Sequence, residues 1–204
     1  MVMLCSARHW SHFFSDIYKE KVSMLNSLKG RKIHTRNIQI SVYETDTENL
    51  IVEGILKDNL LISHYQTSGE KHPPNTVHHM VVRMLIGRTS FKIVDIEVEM
   101  PVFPQKDCGE TSKSLDQIKG IKIAPGFTEK VKNMLGGTNS CSHLKTLVLS
   151  MASAAVQGFW VHRTKEPKSD DSTPDLMNSY VIDTCWVWRK DGPLAIQKME
   201  DAKR

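Results

Sequence analysis

The sequence predicts an α+β domain in which an antiparallel sheet of about four strands packs on helices. Three observations carry this. Segments between residues 37 and 100 alternate apolar and polar side chains with the two-residue period of half-buried strands. Segments after residue 113 repeat apolar side chains every three or four positions, the period of helices packed on a core. Between residues 37 and 160 the strand-like segments precede the helix-like ones, four strands and then helices.

Residues 12–28 carry Phe13, Ile17, Val22 and Leu25 at helical spacing, and Gly30 with Arg31 and Lys32 forms a stop. Ile38, Ile40 and Val42 then alternate with Asn37, Gln39 and Ser41, the first strand. A second strand is expected over Leu50 to Leu56, joined by the polar hairpin loop Glu44 to Asn49. Ser68 to Asn75, with Gly69, Pro73 and Pro74, reads as a surface loop.

The next hairpin places Met80, Val82, Met84 and Ile86 on one apolar face and Val94, Ile96, Val98 and Met100 on another, across a turn at Gly87 to Ser90. Matching the two faces requires paired residues to share parity. His79, Val81 and Arg83 then share a face with Asp95, Glu97 and Glu99, and Arg83 is expected opposite Asp95 as a cross-strand ion pair.

Helices are expected over Ser114 to Lys119, over Phe127 to Leu135 with Gly136 as its stop, and over Cys141 to Trp160. The last carries the stripe Leu144, Leu147, Val148, Met151, Ala155 and Phe159. Asn139 or Ser140 is its expected cap, an interaction worth about 1 kcal/mol. Arg163 to Asp175, with Pro167 and Pro174, is an exposed connection; Tyr180 to Trp188 is strand-like, and Asp191-Gly192-Pro193 is a turn. The expected organisation is an N-terminal helical extension over 1–30, a main domain over 31–162, and a linker with a C-terminal strand segment over 163–204, packed on the main domain.

At 204 residues, 40% hydrophobic and 25% charged, the chain has the composition of a folded domain. Its net charge of +4, from 27 basic and 23 acidic residues, is spread without a basic run, so no nucleic-acid partner is expected. No run approaches the roughly 18 consecutive apolar residues of a membrane span, and no membrane partner is expected. The opening Met1 to Phe14 is interrupted by Arg8, His9 and His12, unlike a signal peptide, and a cytoplasmic location follows as the expectation. In that reducing compartment Cys5, Cys108, Cys141 and Cys185 stay free unless they bind metal or react.

Cys141-Ser142-His143, reached after Gly136-Gly137-Thr138-Asn139-Ser140, sets two metal-capable side chains at a helix start, where backbone amides favour a thiolate. Three other places carry such residues: His78 and His79 where the third strand begins, Cys108 after the fourth, and Cys185 near the end. His79 and Cys108 belong to the same end of the predicted hairpin. Mixed Cys and His donors suit a mononuclear zinc or iron site. Arg36, Arg83 and Asp95 are candidates for contacts to an anion or ligand, with structural ion pairs as the alternative.

Val77-His78-His79-Met80 at a strand entry, Cys108 after the next strand, and Ser140-Cys141-Ser142-His143-Leu144 opening a long helix resemble the three cysteine-bearing places of the iron-sulfur cluster scaffold family. That resemblance covers about 77 to 160 and implies a scaffold-like fold and sulfur handling. In the scaffolds the first place holds a cysteine and an aspartate, where this chain has His78 and His79.

Over nearly its whole length the chain resembles an uncharacterised bacterial family, domain of unknown function 2889. The residues that carry this are His34-Thr35-Arg36, Glu53-Gly54 with Asp58, His78-His79-Met80 with Arg83, Asp95, Cys108, Gly126, Gly136, Cys141-Ser142-His143-Leu144 and Asp183-Thr184-Cys185. The family run reads His-Asp-Met, so His79 is a departure.

Three functional readings stand at this point. The first is a metal- or sulfur-handling protein with Cys108, Cys141 and a histidine from His78, His79 or His143, and Cys185 in reserve. The second is a thiol enzyme or sulfur carrier with Cys141 as nucleophile and Cys108 or Cys185 resolving it. There His143 is two residues from Cys141, about 200° round a regular helix, unless a turn precedes the helix. The third is a protein-binding module, in which Trp160, Trp186 and Trp188 are read as core rather than as anchors.

Overall fold

The computed structural model describes residues 24–163 and 180–201. Six strands come first: β1 His34–Glu44, β2 Asn49–Leu60, the two-residue β3 His64–Tyr65 and β4 Lys71–His72, β5 Asn75–Gly87 and β6 Ile93–Val102. A 3-10 segment Lys106–Ile118 follows, then α1 Phe127–Met134, a 3-10 turn Gly137–Asn139, α2 Ser142–Arg163 and α3 Pro193–Asp201. The long strands form one antiparallel sheet in the order β1-β2-β5-β6, the α+β class expected.

Register turns the period-two pattern into rows across the sheet. Val42, Val52, Met84 and Ile96 form one row, and Ile40, Gly54, Val82 and Val98 the next. Ile38, Leu56 and Met80 continue the same face. This face is the core: Val52, Leu56, Met80, Val82 and Met84 are wholly buried.

The helix α2 covers it, seated by two glycines. A Cβ at Gly54 would lie 2.6 Å from Met151 Sδ and 2.9 Å from Leu147 Cδ1, and a Cβ at Gly158 would lie 2.4 Å from Val42 Cγ1. Only a backbone without side chains at these points lets the helix approach so closely. By length and composition α2 is apolar enough to cross a membrane. Its buried residues Leu144, Leu147, Val148, Met151, Ala152, Ala155 and Phe159 lie instead in the sheet-covering core.

Several expectations are corrected. A bulge between Leu85 and Ile86 pairs Ile86 with Ile93, leaving Val94 as the extra residue, so Ile93 is buried and Val94 is 52% exposed. Between Val81 and Leu85 the parity rule holds but the offset is two residues off: Arg83 stands opposite Glu97, and Leu85 opposite Asp95. Arg83 bonds Glu53 on β2 at 2.7 Å and Glu99 on β6, while Asp95 is bound by Lys119 at 2.7 Å.

Tyr180 to Trp188 is a run of turns, closed by Asp183 N–H to the Trp188 carbonyl at 2.9 Å and Trp188 N–H to the Cys185 carbonyl at 3.1 Å. Asp183 has φ +60°, a turn conformation that a strand does not hold. Trp186 is 79% exposed there and stacks with the Arg189 guanidinium at 4.2 Å, so the paired-tryptophan core reading does not apply to it. Pro193, read as part of a turn, opens α3, where its missing N–H costs nothing.

The Ser140 hydroxyl meets Ser114 Oγ at 2.6 Å, and the Cys141 carbonyl accepts the Lys145 N–H at 3.0 Å at the start of α2. Lys71–His72 folds back on His64–Tyr65, so part of the expected surface loop is a small hairpin. Of the predicted lead helix over 12–28, residues 24–28 are described: 24–27 are helical and Leu28 is a turn.

Candidate functional site

The apolar face of the sheet ends in a polar row. One pair beyond Ile38, Leu56 and Met80, the register sets Arg36, Asp58 and His78 side by side on β1, β2 and β5. Asp58 is only 1% exposed, and among the described residues it is the buried charged side chain. An isolated buried carboxylate is strongly disfavoured, so its partners are decisive. Arg36 donates Nε to Oδ1 at 2.7 Å and Nη2 to Oδ2 at 2.6 Å, a fork on both oxygens. His78 Nδ1 lies 3.0 Å from Oδ2, and His34 Nε2 lies 3.6 Å from Oδ1.

The start of α2 closes the row from above. His143 brings Nε2 to 3.8 Å from Asp58 Oδ2 and its ring to 4.0 Å from that of His78. On the other side of the same ring, Cys141 Sγ lies 3.6 Å from Nδ1. Cys141 precedes the regular helix, which starts at Ser142, so the turn brings together two side chains that a continuous helix would splay apart.

The electrostatics set the protonation states. The Arg36 fork holds the Asp58 carboxyl below its ordinary value, assisted by His78, even though burial opposes it. Burial pushes His143 below the usual histidine value, and the neighbouring His78 and Arg36 push the same way. Near neutral pH the site therefore holds an ionised carboxylate and a neutral imidazole. Ligand atoms of Asp58, His78 and His143 all lie within 4.8 Å of one another. Such a set can bind a cation or move a proton between nitrogen and oxygen.

The family model described as Protein of unknown function (DUF2889) matches residues 34–157. The chain belongs to this family. The DUF2889 segment runs from His34 at the rim of the site through Arg36, Asp58, His78, Cys141 and His143, so the whole polar cluster lies inside it. Cys185 and the turns around it lie beyond. No curated protein and no solved structure matches the chain.

Within the DUF2889 fold, His78 and His143 come together and Cys141 stands behind His143. His79 is paired with Lys57 one position away and therefore faces the opposite side of the sheet. Cys108 lies in the 3-10 segment, half-buried, and is not in the cluster of ligand atoms. Cys185 is exposed at the lip of an apolar groove of about 880 Å³ lined by Leu149, Val156, Trp160, Tyr180 and Trp188. Arg36 reaches the cluster, whereas Arg83 and Asp95 are held in the ion pairs described above.

The residue that sequence reasoning left out of the site is Asp58, quoted only for the family resemblance, and with it His34. A signal was present. Leu50, Val52, Gly54, Leu56 and Asp58 share one parity on β2, so a charge stands in phase with the core positions. Such a charge has to be paired inside.

Proposed function

We propose that this DUF2889 protein is a metal-binding protein whose centre is built from Asp58, His78 and His143, with zinc or ferrous iron as the ion. The observation that carries the reading is one buried carboxylate oxygen, Asp58 Oδ2, with His78 Nδ1 at 3.0 Å and His143 Nε2 at 3.8 Å. Ligands about 2.0–2.1 Å from a tetrahedral ion stand about 3.4 Å from one another, between those two separations. Two imidazoles and a carboxylate suit zinc or iron, and three protein donors leave a position for water or substrate.

In this reading Cys141 supports the centre rather than binding the ion. Its sulfur sits at His143 Nδ1, which leaves Nε2 for the metal, the outer-shell role that orients a ligating imidazole. Since ionised Asp58 only accepts, His78 Nδ1 carries a proton in the metal-free site, and a metal held by Nδ1 would require the neutral ring to carry that proton on Nε2 instead.

The test is elemental analysis and cobalt(II) titration of untagged protein, with His78→Ala, His143→Ala and His79→Ala variants. One equivalent of metal, lost in the first two variants and kept in His79→Ala, is the expected result. Metal-free wild type after reconstitution under reducing conditions, or loss only in Cys108→Ser, overturns it.

A second reading is favoured by the line Cys141 Sγ, His143 and Asp58, which has the order of nucleophile, base and orienting carboxylate. It predicts that Cys141 alkylation slows on removal of the His143 imidazole, with no metal required. Assembly of an iron-sulfur cluster draws less support, because Cys141 alone of the described cysteines adjoins the cluster.

A further inference from the structure

Arg36 occupies the place that a metal would contest. Its Nη2 lies 2.6 Å from Asp58 Oδ2, the same oxygen that faces His78 and His143. A divalent ion on that oxygen would sit beside a guanidinium, and the two cations repel. Arg36 is free to respond: it belongs to β1, an edge strand, and its side chain is 40% exposed, against 2% for Asp58. Asp58 would keep a donor when Arg36 leaves, because His34 Nε2 stands 3.6 Å from Oδ1.

The charge count then names the ligand. With a divalent ion, one carboxylate, neutral imidazoles and one guanidinium, the loaded centre carries two surplus positive charges at a half-exposed rim. A guanidinium released from one carboxylate fork presents the same planar donor pair to another oxyanion. We propose that the loaded centre binds an oxyanion, a phosphate or carboxylate group, held between the metal and Arg36, which exchanges Asp58 for it. Metal and oxyanion then favour each other's binding, because each stabilises the arrangement with Arg36 turned outward. This rests on the metal reading above.

The probes are inorganic phosphate and acetate, added to cobalt-loaded protein and followed by the cobalt absorption spectrum and by calorimetry. The expected result is phosphate binding to the loaded protein and none to the metal-free protein. Arg36→Gln should weaken phosphate at least tenfold while binding cobalt as tightly as wild type or more tightly. Arg36→Lys, which keeps charge but loses the fork, should lie between, and thermal melting checks that each variant is folded.

Cobalt binding with no spectral response to either anion, or an equal response in Arg36→Gln, overturns the oxyanion proposal and leaves the metal centre standing. Weaker cobalt binding in folded Arg36→Gln also overturns it, assigning Arg36 to the positioning of Asp58. A wild type that takes up no cobalt removes the metal reading first, and this proposal with it. Acetate matching phosphate would identify the group recognised as any oxyanion; preference for phosphate would narrow it to phosphoryl compounds.

Discussion

Gly54 and Met151 meet without room for a methyl group between them: a Cβ at Gly54 would stand 2.6 Å from the Met151 sulfur. This contact lies on the row between the apolar centre of the sheet and its polar end, directly under the helix that carries His143. Gly54→Ala should therefore cost about 1–3 kcal/mol by overpacking, and should lift the start of α2 from Asp58. Urea denaturation checks the first effect. Weakened metal binding in a variant that is still folded checks the second, and an unaltered midpoint would refute the close approach.

Acid should weaken the fold in two stages. His143 is held below its ordinary value by burial, so the unfolded chain binds more protons than the native one as pH falls from about 6.5 towards the depressed native value. Stability drops through that interval. Asp58 is also held low, chiefly by Arg36, so its contribution is present above about pH 4 and is lost as pH falls through its native value. Urea midpoints at pH 7.5, 5.5 and 3.5 should fall in sequence. His143→Gln should flatten the first drop and Asp58→Asn the second.

Phe91 has φ +54° yet is 1% exposed, its ring 5.0 Å from those of Phe159 and Tyr180. The left-handed backbone costs an L-residue about 1–2 kcal/mol, which burial of the ring offsets. Phe91→Ala should lose about 3–5 kcal/mol. Phe91→Gly should lose about 1 kcal/mol less, because glycine accepts positive φ. Equal losses on chemical denaturation would contradict a strained turn.

Far along the sheet from the site, His162 links Glu44, at 2.7 Å from Nδ1, to Arg88, at 2.8 Å from Nε2. This ties the end of α2 to the β1-β2 hairpin, where Arg88 also donates to the Thr47 carbonyl at 2.5 Å. Arg88→Ala should cost about 0.5–1.5 kcal/mol through the hydrogen bonds lost. Metal affinity should not change, and a loss of affinity would show that the two ends are coupled.

The sheet and its covering helix were readable from the chain because burial on one face imposes a period, and a period is a local property. Ile38 to Val42, Met80 to Ile86 and the stripe from Leu144 to Phe159 state their own environment. Strand ends were not readable, and the site sits there: β1 and β2 run on to His34 and Leu60, carrying Arg36 and Asp58 past the apolar residues that mark the strands. The one-residue bulge at Val94, which is local in shape but set by pairing, accounts for half of the two-residue shift of the expected Arg83–Asp95 pair, and the placing of the turn for the other half.

For the site, sequence supplied the chemistry of the parts: two imidazoles, a thiol and an arginine were all singled out. Their grouping depended on register and on where α2 comes to rest. Alternation alone sets His78 in phase with Met80 to Ile86 and His79 out of phase, but only the pairing of β2 with β5 puts the Asp58 carboxylate beside the inward imidazole. Cys141 and His143 cooperate because the helix begins one residue after the cysteine. The physical reason is common to both: side-chain type is carried by the residue, whereas the low-dielectric neighbourhood that makes a carboxylate and an imidazole act together is made by segments distant in sequence.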